Sequence, residues 1–337
     1  MRFTQTVPNP ARLFAVLQRL TLAGMAALLL GACASAPLSY PDVVPPRAAA
    51  LEPLRIAERP VIGLALGGGA ARGFAHVGVI KVLEEHGIRP DIVVGTSAGS
   101  FVGALYASGY DVAALEKIAR EVKTEELRDI VFPDRGFVKG ERLQDFVNQK
   151  LGNRSIEELP IRYAAVATDL ADGSIAAFTR GNTGMAVRAS SSIPGVFQPV
   201  RIDGREYVDG GLVSPVPVQV ARDLGADLVI AVDIAKRPGE KAVLVSTTEV
   251  FDQALDIMVS HLAKQEVGSA DIVVQPDTRS LVSVDFTTRG DAIEEGIEAA
   301  ARAMASVLDR LLAMSRDKAQ RILERKLPGG AAAEGAK

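Results

Sequence analysis

The stretch Asp91-Ile92-Val93-Val94-Gly95-Thr96-Ser97-Ala98-Gly99-Ser100 decides the reading of the fold. An uninterrupted apolar run leads into G-T-S-A-G, and a run of small residues with helical spacing, Ala98 to Ser108, leads out. A strand that turns directly into a helix around G-x-S-x-G is a nucleophile elbow. The tight turn lifts the serine hydroxyl clear of the sheet, and Gly95 and Gly99 leave room for the crowded backbone. The helix that follows points its N-terminal amides at the same spot, where negative charge is tolerated. Ser97 is therefore the candidate nucleophile.

Outward from the elbow the pattern alternates. Val61 to Leu66 reads as a buried strand, followed by a glycine loop and a helix from about Gly73 to Glu85. Ala98 to Ser108 and Asp111 to Glu121 read as helices, with Asp111 as N-cap. Residues 125–135 are ambiguous, and Gly140 to Leu151 is helical again. Arg162 to Thr168 and Ser174 to Thr179 read as strands around the turn Asp172-Gly173, with a short strand at Arg205 to Val208. A helix from Val216 to Leu224 ends at Gly225, and Ala226 to Asp233 is another buried strand. A helix from Ser246 to Glu266, a strand from Asp271 to Val274 and a helix from Asp291 to Met314 complete the pattern. Strands alternating with helices predict a three-layer α/β/α sandwich with a mainly parallel central sheet.

The 337 residues carry a formal net charge of −3 and no Lys/Arg run that could track phosphates, so nothing points to nucleic acid. The first 32 residues differ from the rest. Arg2, Arg12 and Arg19 form a basic leader, and Leu20 to Leu30 is an apolar stretch too short to span a bilayer comfortably. Leu30-Gly31-Ala32 then precedes Cys33, the chain's single cysteine. The pattern resembles a bacterial lipoprotein signal: 1–32 removed, Cys33 lipidated, and the protein held in the cell envelope at the outer membrane, facing the periplasm. A plain secretory signal cleaved near Ala36 is the other reading. Residues 33–60, with Pro37, Pro41, Pro45, Pro46 and Pro53, read as a Pro/Ala-rich tether. The expected catalytic domain runs over 61–316, with a C-terminal tail at 317–337.

Two further motifs carry chemistry. Gly67-Gly68-Gly69-Ala70-Ala71-Arg72-Gly73 lies between a strand and a helix. The G-x-G-x-x-G spacing fails, because Ala70 stands at the third position counted from Gly68, and the Lys-Ser/Thr pair of a P-loop is absent, which speaks against a nucleotide. An oxyanion hole is the alternative: backbone N–H groups of a glycine loop approach a tetrahedral oxygen closely. Val208-Asp209-Gly210-Gly211 puts a carboxylate at a strand end beside two glycines. Asp209 is the candidate proton acceptor for Ser97, given a raised pKa. Of the three histidines, His76 and His86 decorate or pack the first helix. Ser97, Asp209 and His261 satisfy the chain order of an α/β-hydrolase triad, but His261 sits within a helical run. Arg188 and serines 190–192 read as turn hydrogen bonding or as cleft lining. No His/Cys/carboxylate cluster suggests a metal.

Taken in order, Gly68-Gly69-Ala70-Ala71-Arg72-Gly73, Gly95-Thr96-Ser97-Ala98-Gly99 and Asp209-Gly210-Gly211 resemble the three signatures of patatin-like phospholipases. Ala167-Thr168-Asp169-Leu170 and Arg188-Ala189-Ser190-Ser191-Ser192-Ile193-Pro194-Gly195 match as well, so the resemblance spans about 61–310, in the form of the compact bacterial branch. It implies a Ser97–Asp209 dyad without histidine, an oxyanion hole of Gly68, Gly69 and Ala70 with Arg72 fixing the loop, no cofactor, and a membrane lipid or other lipid ester as substrate. Ala70 departs from the glycine common there; its methyl is costly only if its φ is positive. A histidine-dependent esterase and a non-catalytic lipid-binding protein of the same fold are the rival expectations.

Overall fold

The chain's strands are short apolar runs separated by helices, and the computed structural model describes residues 44–56, 58–131, 135–237, 246–279, 281 and 286–326. In order they form β1 (Arg47–Ala48), β2 (Ile62–Leu66), α1 (Ala75–Glu85), β3 (Ile92–Thr96), α2 (Ala98–Ala107), α3 (Val112–Glu121), α4 (Thr124–Leu127) and α5 (Glu141–Lys150). There follow β4 (Arg162–Asp169), β5 (Ile175–Arg180), α6 (Thr183–Ser190), β6 (Val200–Ile202), β7 (Arg205–Asp209), α7 (Val218–Asp223), β8 (Leu228–Val232), α8 (Thr247–Val267), β9 (Ile272–Val274) and α9 (Arg289–Lys326). Asp111 caps α3 as its sequence position predicts, accepting from the Ala114 N–H at 2.8 Å.

Strands β4, β3, β2, β8 and β9 lie side by side and parallel, in that order. The antiparallel remainder clusters at one end: β5 pairs with β4, β1 with β5, and β7 with both β4 and β6. Period-two alternation sends side chains to opposite faces. Ile62, Leu64 and Leu66 of β2 join one core with α1, α2 and α9, whereas Ala65 joins a second core with α7 and Ala263 of α8. The β8 residues divide in the same way, with Leu228, Ile230 and Val232 on the first side and Val229 and Ala231 on the other. Each face is sealed by helices, so the parallel strands read as continuous apolar runs rather than alternating ones. This is the three-layer α/β/α arrangement, with the parallel strands at its centre.

Two expectations change, and one further helix is added. The segment 33–60 is not a free tether where it is described. Arg47 and Ala48 pair with Arg180 and Phe178, the Leu54 N–H donates to Leu224 O at 2.7 Å, and Leu51, Leu54 and Ile56 pack on the second core. The prolines set extended backbone, but the interleaved apolar side chains are buried more favourably than they are solvated. The last helix runs past Met314 to Lys326, so the beginning of the 317–337 tail is helical. Residues 183–190 form a helix, α6, which the small and polar residues of that stretch conceal. The leader 1–32, Cys33 and residues 327–337 lie outside the described residues.

Candidate active site

Ser97 occupies the single residue between β3 and α2, with φ 53° and ψ −120°. A serine at positive φ is held there against the steric preference of L-residues, as a nucleophile elbow requires. The glycines beside it are needed for space. A Cβ on Gly95 would lie 2.3 Å from Gly99 O, and one on Gly99 would lie 2.1 Å from Leu66 O. Larger residues would push helix, elbow and β2 apart. The Ser97 N–H donates to Ser190 Oγ at 2.9 Å, and Ser190 Oγ in turn donates to Val166 O at 2.6 Å. Ser190 thus braces the elbow from α6 and ties it to β4. Arg188 spans α5 and the preceding turn, donating to Lys139 O and Gln144 Oε1, so these polar residues of α6 serve the framework.

Asp209 ends β7 and caps the short helical turn Gly210–Leu212, its Oδ1 accepting from the Gly211 N–H at 2.7 Å. Its backbone is pinned as well: Asp209 N–H donates to Ser192 O at 2.9 Å and Thr168 Oγ1 donates to Asp209 O at 2.8 Å. Asp209 and Ser97 are each 6% exposed. The Ser97 side chain lies near enough to the Asp209 carboxyl to lower its pKa. Burial pushes that carboxyl up to about 6, against the opposing pull of Ser97 and the Gly211 N–H. A carboxyl so placed is ionised at neutral pH yet basic enough to take a proton.

The glycine loop crosses in front of the serine. A methyl built on Gly68 would lie 3.3 Å from Ser97 Cβ. Gly68 cannot serve as an oxyanion donor, however, because its N–H already donates to Pro215 O at 2.9 Å. Gly67 N–H is likewise taken, by Val232 O at 3.0 Å. The loop therefore offers the N–H groups of Gly69 and Ala70, which open the helical turn Ala70–Phe74 and have no partner among the described backbone hydrogen bonds. First-turn amides lack intrahelical acceptors and suit an anion. Arg72 fixes this turn by donating Nε–H to Gly69 O at 3.1 Å. Ala70 has φ 50°, the conformation in which its methyl is costly.

Two buried groups in the site give little sign of themselves in the sequence. His76 is fully buried on α1, and its Nε2 donates to Gly67 O at 2.8 Å, since a carbonyl can only accept. Burial lowers its pKa to about 4, so the ring is neutral and holds the glycine loop from below. Thr96 Oγ1 donates to Ser214 O at 2.8 Å, joining the elbow to the turn after Asp209. A threonine inside an apolar strand is a weak signal; a histidine three residues after the loop glycine Gly73 is a better one. His261, by contrast, is exposed on α8, and it makes no contact with Ser97 or Asp209 among the described interactions. The triad Ser97/Asp209/His261 is not assembled.

Comparison with known proteins agrees with this geometry. Residues 64–222 match the Patatin-like phospholipase family model. An uncharacterized NTE family protein of Mycobacterium tuberculosis is 40% identical over 195 residues, covering 56% of this chain and 53% of that protein. Lysophospholipase NTE1 of Debaryomyces hansenii is 34% identical over 186 residues, covering 53% of this chain and 12% of that one. The chain thus spans about half the length of the mycobacterial relative and far less of the yeast one. Among solved structures, VipD from Legionella pneumophila superposes with a TM-score of 0.54 at 13% identity, over 80% of this chain and 72% of that chain, a likeness of fold. With its elbow, its glycine loop and its Asp-Gly-Gly turn brought together inside the matched residues, the chain carries a patatin-like phospholipase domain over residues 64–222.

Proposed function

We propose that this chain hydrolyses lipid acyl esters through a Ser97–Asp209 dyad. The observation that carries the reading is the pairing of a serine at positive φ with a buried carboxyl whose pKa is raised to about 6. Ser97 Oγ attacks the ester carbonyl while its proton passes to Asp209. The oxygen that becomes negative is met by the Gly69 and Ala70 N–H groups. Collapse breaks the bond to the alcohol, which leaves with the proton held by Asp209, and an acyl-serine remains. Water then attacks the acyl carbon, giving its proton to Asp209. The fatty acid departs as the serine recovers its proton. The name of the yeast relatives favours a lysophospholipid as the first substrate to try.

The test is labelling by a fluorophosphonate, followed by hydrolysis of a lysophospholipid by the wild type, Ser97→Ala, Asp209→Asn and His261→Ala. Labelling should map to Ser97, the first two variants should lose at least about a thousandfold in kcat, and His261→Ala should retain activity. A protein that binds lipid but is not labelled would be a non-catalytic binder, and collapse of His261→Ala would restore the triad reading.

We propose also that the chain is exported and anchored through a lipidated Cys33 at the outer membrane, facing the periplasm. The support is the basic leader, the short apolar stretch and the small residues ahead of Cys33. Metabolic labelling with a fatty acid tests it: label should appear on the wild type and be absent from Cys33→Ser, and an unlabelled wild type would sink the proposal.

A further inference from the structure

The three segments of the site hang on one turn. Ser214 N–H donates to Gly210 O at 2.8 Å, next to Asp209. Ser214 O accepts from Thr96 Oγ1 at 2.8 Å, next to Ser97. Pro215 O accepts from the Gly68 N–H at 2.9 Å, next to Gly69. The residues from Ser214 to Val216 are thus the point where proton acceptor, nucleophile and glycine loop are tied together. A turn of this kind holds its shape only if something holds it in place.

That grip comes from a remote helix. Glu266, in the last turn of α8, accepts from Ser214 Oγ through Oε1 at 2.5 Å and from the Val216 N–H through Oε2 at 2.7 Å. Both oxygens are engaged on two neighbouring positions of the turn, a fork that fixes orientation as well as distance. Glu266 is half-buried, and burial pushes its carboxyl up to about 7, in surroundings where hydrogen bonds hold more firmly than in bulk water. No reacting atom lies within its reach through these bonds, so the dyad makes no direct use of it.

We infer that Glu266 is a positioning residue of the hydrolytic site, which through both carboxyl oxygens fastens the Ser214–Val216 turn and so sets the elbow, Asp209 and the glycine loop in mutual register. The inference rests on the hydrolase reading. It requires that the effect be geometric: the turn, once released, lets Gly68 and Thr96 drift, and the donors no longer meet the oxyanion. Displacement of about 1 Å at a reacting centre costs on the order of a hundredfold in rate. Glutamine has the same shape, accepts from Val216 N–H and donates to Ser214 Oγ, so it should substitute.

The experiment compares the wild type, Glu266→Ala, Glu266→Gln and Ser214→Ala by the rate of fluorophosphonate labelling at Ser97, by kcat and KM on a lysophospholipid, and by hydrogen exchange at the Gly68 amide. Glu266→Ala should label and turn over roughly tenfold to a hundredfold more slowly with KM little changed, and its Gly68 N–H should exchange faster. Glu266→Gln should restore all three, and Ser214→Ala, which deletes one of the two bonds, should fall between. Labelling of folded Glu266→Ala at the wild-type rate with Gly68 still protected overturns the inference, as does a Glu266→Gln as slow as the alanine variant. If Glu266→Ala does not fold, Ser214→Ala carries the decision, and its behaving as wild type overturns the inference. Should the wild type itself resist labelling, the hydrolase reading falls, while Gly68 exchange still decides whether Glu266 holds the turn.

Discussion

Ser97 and Asp209 meet because β3 leaves the sheet at the point where β7 enters it. Thr96 stands opposite Val166 on β4, and Asp209 stands opposite Ala167, the next residue along. Residues 167 and 168 of β4 pair with β5 on their other edge, so β7 occupies the edge that β3 vacates. The elbow is what frees that edge. Turning the serine out of the sheet and admitting the carboxylate beside it are one structural event.

The first consequence concerns pH. Asp209 must be ionised to take the Ser97 proton, and its carboxyl is pushed up to about 6 by burial. In the free enzyme, kcat/KM should therefore fall on the acid side with a midpoint near pH 6, about two units above an ordinary aspartate. A pH–rate profile on a soluble ester checks this. A midpoint near 4 would mean that water reaches the carboxyl freely.

The same burial bears on stability. With its folded pKa raised above the unfolded value, Asp209 is most compatible with the fold when protonated. Its contribution is intact below about pH 4 and is lost as pH rises through 6. At pH 8 the buried charge costs roughly 2–3 kcal/mol. Asp209→Asn keeps the acceptor for Gly211 N–H and removes the charge. Chemical denaturation at pH 8 should show it more stable than the wild type by about that amount, and at pH 4 nearly equal, with hydrolysis abolished at both. An Asn variant less stable at pH 8 would show that the carboxylate is favourably paired.

Much of this was legible in the chain. The strands of the parallel centre are uniform apolar runs, the elbow and the Asp-Gly-Gly turn show as short ordered patterns, and the hold of Arg72 on the loop is what the family resemblance implies. What stayed hidden depends on distant partners. Gly68 looks like an oxyanion donor until Pro215 O takes its N–H, and Glu266 reads as one more charge at a helix end until Ser214 and Val216 bind both its oxygens. The segment from Val44 to Ile56 has the prolines of a linker, yet its leucines reach the core. Hydrogen-bond accounting of this kind cannot be done before the topology is known.

Ala70 offers a test by gain. Its φ of 50° crowds the methyl against its own backbone, and glycine adopts that conformation without strain. Ala70→Gly should stabilise the native backbone by about 1 kcal/mol, less whatever the more flexible unfolded chain takes back. The N–H it presents is unchanged, so kcat should stay within about twofold of the wild type. A loss of stability in thermal denaturation would mean that the Ala70 methyl makes contacts worth more than the strain.

His76 gives the opposite pH signature from Asp209. Its imidazole is buried and neutral, donating Nε2–H to Gly67 O, and burial lowers its pKa to about 4. Because the folded value lies below that of the unfolded chain, the stability it confers is present above about pH 6.5 and is lost as pH falls toward 4. Nδ1 has no hydrogen-bond partner among the described residues, so a proton arriving there would be both charged and unsatisfied. His76→Gln retains a donor that can reach Gly67 O and lacks the titration. Between pH 7.5 and 4.5 the wild type should lose roughly 2–3 kcal/mol more than His76→Gln in denaturant titrations. The glutamine variant should keep a large part of the wild-type kcat at pH 7.5, because the carbonyl of the loop remains held. Parallel stability curves for the two proteins would show that the ring reaches water before the fold opens. A kcat reduced as far as in His76→Ala would show that the imidazole does more than hold Gly67.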